Sequence, residues 1–281
     1  MNIEILAVYK NLKDYILAVE NDNENIEALW EQYAIAPYWG KLCQYAPMDL
    51  SDRKPKAIKD IETLKKQLEL MEAIDLEQLK LEMEKVTKAL PNYDDDPMYI
   101  AIYPLSDTNQ IVKERQNGVV GASTFGNMII NVNPFVEGYY DWILYVFAHE
   151  YHHNVWGNYW FGMHGGELKN QFIESLLIDG EADSFALSLY PELKPKWLFD
   201  MTSECEEALW KNHYSELITR TDVNYPKYMF GDEKNDIPWC AGYTIGFRIM
   251  QSFIKKHPEI TFSALLERRP MELFEESGYL D

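Results

Sequence analysis

The sequence predicts an α+β fold, mainly helical, with a small β-sheet packed beside one central helix. Three observations predict it. Up to about residue 90, apolar residues recur at spacings of three and four. After the breaker PNYDDDP at 91–97 the period shortens, and three runs rich in β-branched residues follow, bounded by Gly, Asn and Pro. From about residue 136 the helical period returns. The chain has 281 residues, 47% of them hydrophobic and 14% aromatic. That is ample for a buried core and for one large domain or two modest ones. The breaker divides a helical N-terminal region, 1–95, from a second region, 96–281.

Taken in order, Ile5, Val8, Leu12, Tyr15, Ile16 and Val19 form one apolar stripe and predict a helix from the start of the chain. A second helical stretch begins near Asn25 and is interrupted around Pro37, which lacks the amide proton a helix interior needs. KPKAIKDIETLKKQLELMEAIDLEQLKLEMEKVTKAL continues in helical mode, with its Lys and Glu on a solvated face. MYIAIYP, GVVGAST and GNMIINVNP read as strands. Helices are then expected at about 136–156, 168–190, 203–217 and 241–256.

Charge and cysteine content narrow the function classes. There are 46 acidic and 26 basic residues, a net charge of -20. Such a field repels nucleic-acid phosphates and anionic lipid, so neither nucleic acid nor membrane is expected as a partner; it favours cationic substrates. The N-terminal stretch lacks a basic segment, an apolar core and a cleavage site, and reads as no signal peptide. No apolar run is long enough to span a bilayer. Cys43, Cys205 and Cys240 are scattered and form no C-x-x-C pair, so no disulfide framework or cysteine metal site is expected and a reducing cytoplasm is.

The chemistry concentrates in YVFAHEYHHNVWGNYW, residues 145–160. His149 and His153 are four apart, which puts both imidazoles on one helix face where they can converge on a single cation. Glu150 is offset by about 100° around the helix. Its arm reaches a water that a metal would acidify, without itself ligating the metal. Val146, Phe147, Ala148, Val155 and Trp156 flank the motif, so the helix is buried and two stacked histidines in it need a reason. The bland alternative is a pair of core histidines bonded to carbonyls. His152 points away from the pair and reads as structural.

Two histidines and a water leave zinc one protein ligand short. The extended motif with a downstream histidine is excluded, because Trp156 and Tyr159 occupy its Gly and His positions. His164 lies in the Gly-flanked loop FGMHGGE, a weak place to fix a ligand. In QFIESLLIDGEADSFALSLY, wound at about 100° per residue, Glu174, Glu181, Ser184 and Ser188 fall on a narrow polar side. Asp179 and Asp183 fall in the apolar arc, one turn apart. Buried carboxylates need compensation, and a divalent cation and a histidine N–H would supply it. Asp179 is therefore the candidate third ligand and Asp183 the acceptor that orients a ligating imidazole. Glu181 is the rival ligand.

HEYHH followed by LLIDGEADSFA resembles gluzincin-type zinc peptidases. More closely it resembles the YjaZ-like bacterial family of predicted zinc-dependent proteases, a domain of unknown function. The resemblance runs over about 96–281 and includes NGVVGASTFGNMIINVNP, GYTIGFRIM and MELFEESGYL. It implies a zincin-like metallopeptidase domain that binds Zn²⁺ through His149, His153 and Asp179, with Glu150 as general base. Asp179 stands where the family usually has Glu, a departure that bears on catalysis more than on metal binding. The resemblance also implies a strand that pairs with a peptide substrate, for which GNMIINVNP is the candidate. A second electrophile is implied too, with Tyr243 as candidate and His213 as runner-up.

The reading this favours is a zinc metallopeptidase acting on peptide or protein substrates. The alternatives are a catalytically weak or inactive zinc-binding protein that recognises peptides or a partner, and a metal-free helical interaction protein.

Overall fold

The computed structural model describes residues 2–21, 24–94 and 96–279. The chain divides into two compact units, Met1–Asn154 and Val155–Asp281.

The first unit is built on a four-stranded mixed sheet. Its strands are β1 (Ile3–Ala7), β2 (Met98–Pro104), β3 (Val119–Ser123) and β4 (Met128–Val132), in the order β1-β2-β4-β3. β1 runs parallel to β2, with Ile3 opposite Met98, and β2 runs parallel to β4, with Ile100 opposite Met128. β3 folds back antiparallel on β4 and places Gly121 opposite Ile130. The β3–β4 turn is tight. Phe125 and Gly126 both have positive φ, at 59° and 92°, and Thr124 N donates to the Asn127 carbonyl at 2.7 Å. Left-handed backbone at both central residues matches the right-handed twist of a hairpin. Asn127 then ties the turn down: its side chain accepts from Tyr99 N and donates to the carbonyls of Lys41 and Leu42.

β1 departs from the helix expected at the start of the chain. In Ile3-Glu4-Ile5 the period is also that of a strand, and β2 supplies a ladder partner for each residue from Ile3 to Ala7. The helical stripe takes over only at α1 (Lys13–Asn21), which buries Tyr15, Ile16 and Val19. The interruption expected around Pro37 is a π distortion rather than a break, since helical backbone continues from Ile26 to Leu42. A π turn, Glu31–Ile35, precedes a short helix, Ala36–Leu42, whose first turn holds the proline. Helices α2 (Ile61–Met71) and α3 (Leu76–Ala89) start on Asp60 and Asp75, whose carboxylates cap backbone amides. Each buries a stripe, Leu64, Leu68 and Met71 in one and Leu79, Met83 and Val86 in the other, while Lys65 and Lys85 pair with Glu62 and Glu82 outside. Helix α4 (Tyr139–Gly157) carries the histidine motif and crosses the unit boundary near its end.

The second unit is helical. Its core forms around α5 (Phe172–Leu189) and α8 (Ala241–Lys256), with α6 (Ser203–Leu209), α7 (Tyr225–Phe230) and α9 (Pro270–Ser277) around them. The helix expected at 203–217 is present over those residues, with a π turn, Trp210–Tyr214, in its middle. α5 and α8 cross with their backbones touching. A Cβ on Gly180 would lie 2.3 Å from the Gly246 carbonyl oxygen, and one on Gly246 would lie 1.9 Å from that of Leu176. No side chain fits there. Arg248 on α8 pairs with the buried Glu206 of α6 and donates to the Met201 carbonyl, and Glu206 also accepts from the Tyr279 hydroxyl at 2.6 Å. A buried pair so bonded is costly to break, because loss of one partner strands the other charge.

Gly246→Ala is expected to destabilise the protein by more than about 3 kcal/mol, since backbone rather than a flexible side chain must give way. Denaturant unfolding checks it; an unchanged midpoint would show that the helices can part at no cost.

Candidate metal centre

Helix α4 is buried on most of its circumference. Its side chains from Trp142 to Ala148 are buried, as are Tyr151, His152, Asn154, Val155 and Trp156. Tyr151 fixes its rotation by donating to the Leu90 carbonyl at 2.8 Å. In that setting His149 and His153 are half-buried, with their Nε2 atoms 3.0 Å apart and ring planes at 83°. Two ring nitrogens so close share one donor–acceptor axis or one cation. Glu150, also half-buried, leaves the helix toward strand β3 at Gly121. His152 is fully buried.

Helix α5 buries three acidic side chains. Asp179, Glu181 and Asp183 are 4%, 1% and 0% exposed. Asp183 accepts from the indole N–H of Trp197, at 3.2 Å from each carboxylate oxygen. Burial pushes the Glu181 carboxyl well above the usual carboxylate range. The helix-phase expectation that Glu181 and Ser184 lie on a polar side is corrected here: both are buried, Ser184 at 3% exposure. The reason is that α5 is covered on nearly every side over Phe172–Ala186, so its polar arc is not a solvent arc.

His149, His153 and Asp179 form a group whose candidate ligand atoms all lie within 4.8 Å of one another. Ligands about 2.1 Å from a tetrahedral zinc stand about 3.4 Å apart. Two imidazole nitrogens and one carboxylate oxygen are also a donor set zinc takes. Glu181 is outside this group, and so are His164 and His213. His164 is exposed and packs on Tyr159, with ring centroids 4.4 Å apart, while His213 packs near Tyr228.

The Tyr243 hydroxyl is held well above its usual pKa, first by burial and then by the negative charges of Asp179 and its neighbours. Tyr225 is raised the same way, by burial and then by Asp179. The fields of both phenols therefore include Asp179. Tyr225, on α7, and Trp197, in the helical turn Lys196–Phe199, match no sequence motif.

One expectation is overturned. β4, from GNMIINVNP, pairs with β2 on one side and β3 on the other, so it cannot take a further strand. The hairpin folds β3 to the outside, and β3 is the edge strand beside Glu150.

A family model described as predicted Zn-dependent protease (DUF2268) matches residues 76–275. Among curated proteins, the chain is 32% identical over 135 residues to "Uncharacterized protein YjfC" of Bacillus subtilis (strain 168). That alignment covers 42% of this chain and spans 41% of the relative's length. No solved structure matches the chain.

A metal held by this group predicts a sharp contrast between neighbours on α5. Asp179→Ala is expected to weaken zinc retention by more than about 100-fold in chelator competition, and Glu181→Gln to leave it within about threefold. Zinc retained in Asp179→Ala and lost in Glu181→Gln would move the ligand to Glu181.

Proposed function

From its membership of the DUF2268 family of predicted Zn-dependent proteases, we propose that this chain hydrolyses peptide bonds, with zinc held by His149, His153 and Asp179 and with Glu150 as general base. The observation that carries the reading is the grouping of two imidazoles and a buried carboxylate, ligand atoms within 4.8 Å of one another, with a second carboxylate one residue from the first imidazole. When bound, zinc supplies Lewis acidity for polarising a carbonyl and acidifying water.

The chain's own groups do the rest. The open edge of β3 pairs with an extended peptide, whose backbone amides and carbonyls complete the ladder. Glu150 takes a proton from the water that attacks the scissile carbonyl carbon. It then hands that proton to the departing amine nitrogen as the C–N bond breaks. A tyrosine phenol is protonated at neutral pH, and Tyr243 and Tyr225 both lie in the field of Asp179, so either can donate a hydrogen bond to the oxygen on which negative charge develops. Asp183, held by Trp197, is the acceptor that steadies the imidazole side of the site.

The reaction belongs to the region 96–281, with 1–95 contributing strand β1 and the helices beside it. Cys43 and Cys205 are free thiols, and a reducing cytoplasm is the location proposed. Among the described residues no helix is long and apolar enough to cross a membrane. The net charge of -20 favours cationic peptides over nucleic acid.

Glu150→Gln is expected to lower peptide cleavage by about 10²–10⁴-fold while zinc stays bound, read from hydrolysis of a peptide library by the zinc-loaded protein. Undiminished cleavage in that variant would remove Glu150 from the mechanism. Stoichiometric zinc without any cleavage by the unaltered protein would favour the other reading, a zinc-binding protein that recognises peptides or a partner, for which the short arm of Asp179 is the motive.

A further inference from the structure

Edge strand β3 and helix α4 meet at two contacts. The first is at Gly121. An ideal Cβ there would lie 2.5 Å from Glu150 Cγ, 2.8 Å from Glu150 Oε1 and 2.7 Å from Val146 Cγ1. Gly121 is not among the residues of positive φ, and it pairs regularly with Ile130. Its backbone would accept any residue, and glycine inside a strand costs stability. What excludes a side chain is the space that Glu150 and Val146 occupy.

The second contact lies one helical turn on. Asn154, 4% exposed, accepts through Oδ1 from the Ser123 hydroxyl at 2.6 Å and from Gly126 N at 3.1 Å. Glu150 and Asn154 are four apart on a helix, a rise of about 6 Å. Gly121 and Ser123 are two apart on a strand, about 7 Å along the same face. The two spacings match. Asn154 thus pins strand and turn to the helix in the register that lays Glu150 across Gly121.

Resting on the peptidase reading above, we infer that Gly121 and Asn154 are positioning residues for Glu150. Gly121 supplies the seat for its side chain, and Asn154 locks the register that keeps the seat beneath it. The carboxylate is thereby presented along the strand edge where the peptide is proposed to bind. If a methyl group is added at Gly121, both neighbours are pressed, and Glu150 is the one with room to swing away. Val146 is β-branched, buried and stiff in its helix, whereas Glu150 is long and half-buried.

The test uses the full chain loaded with zinc. Gly121→Ala and Asn154→Ala are each expected to lower kcat by about 10- to 100-fold, with KM and zinc affinity by chelator competition within about threefold. A thermal double-mutant cycle reads the seat without any activity. Gly121→Ala is expected to lower Tm by about 3–8 °C, and by less in a Glu150→Ala background, where only the Val146 contact is left. If Gly121→Ala does not fold alone, recovery of folded protein in the Glu150→Ala background gives the same answer. Additive Tm changes, or a kcat within about twofold in folded Gly121→Ala, overturn the inference. If the unaltered protein cleaves no peptide, the peptidase reading fails by itself, and the cycle still decides whether Gly121 seats Glu150.

Discussion

Taking a carboxylate out of water costs several kcal/mol unless something replaces the water. Helix α5 does this three times within five residues, at Asp179, Glu181 and Asp183. Each is accommodated differently. Asp183 takes an indole N–H from Trp197. Glu181 is pushed by burial toward its neutral acid form. Asp179 joins two imidazoles in a group with the donors of a zinc site. A helix carrying this load must be held in place, and the touching backbones at Gly180 and Gly246 hold it. The two phenols, raised first by burial, feel the same buried charge as a second cause.

The first unit meets a parallel demand with different means. Helix α4 is buried yet presents imidazoles and a glutamate. Tyr151 sets its rotation and Asn154 sets its register against the β3–β4 hairpin. The left-handed pair Phe125 and Gly126 makes the hairpin tight enough for β3 to stay at the edge of the sheet. The sheet therefore ends next to the helix residue that the proposed chemistry uses.

Much of this was legible in the chain. The histidine motif, the strands after the PNYDDDP breaker and the helices at α4, α5 and α8 follow from period and punctuation alone. The phase of α5 singled out Asp179 and Asp183 as buried, because charges in an apolar arc conflict with the residues around them. The resemblance to predicted zinc-dependent proteases agrees with the family to which the chain belongs. Other features were not legible. Ile3-Glu4-Ile5 fits both periods, and only β2 as a partner selects a strand. Glu181 lay on a polar arc, but burial depends on what covers a helix, which its own sequence does not encode.

By itself the sequence determined which residue types could carry the chemistry and how they repeat along each helix, because 3.6-residue winding follows from local backbone sterics. It could not determine which strand is the edge, which carboxylate stands with the histidines, or that Tyr225 and Trp197 lie near α5. Those depend on packing between segments tens of residues apart. There the outcome is set by excluded volume, as at Gly121, Gly180 and Gly246, and by desolvation of buried charge. Both act only once the chain has folded.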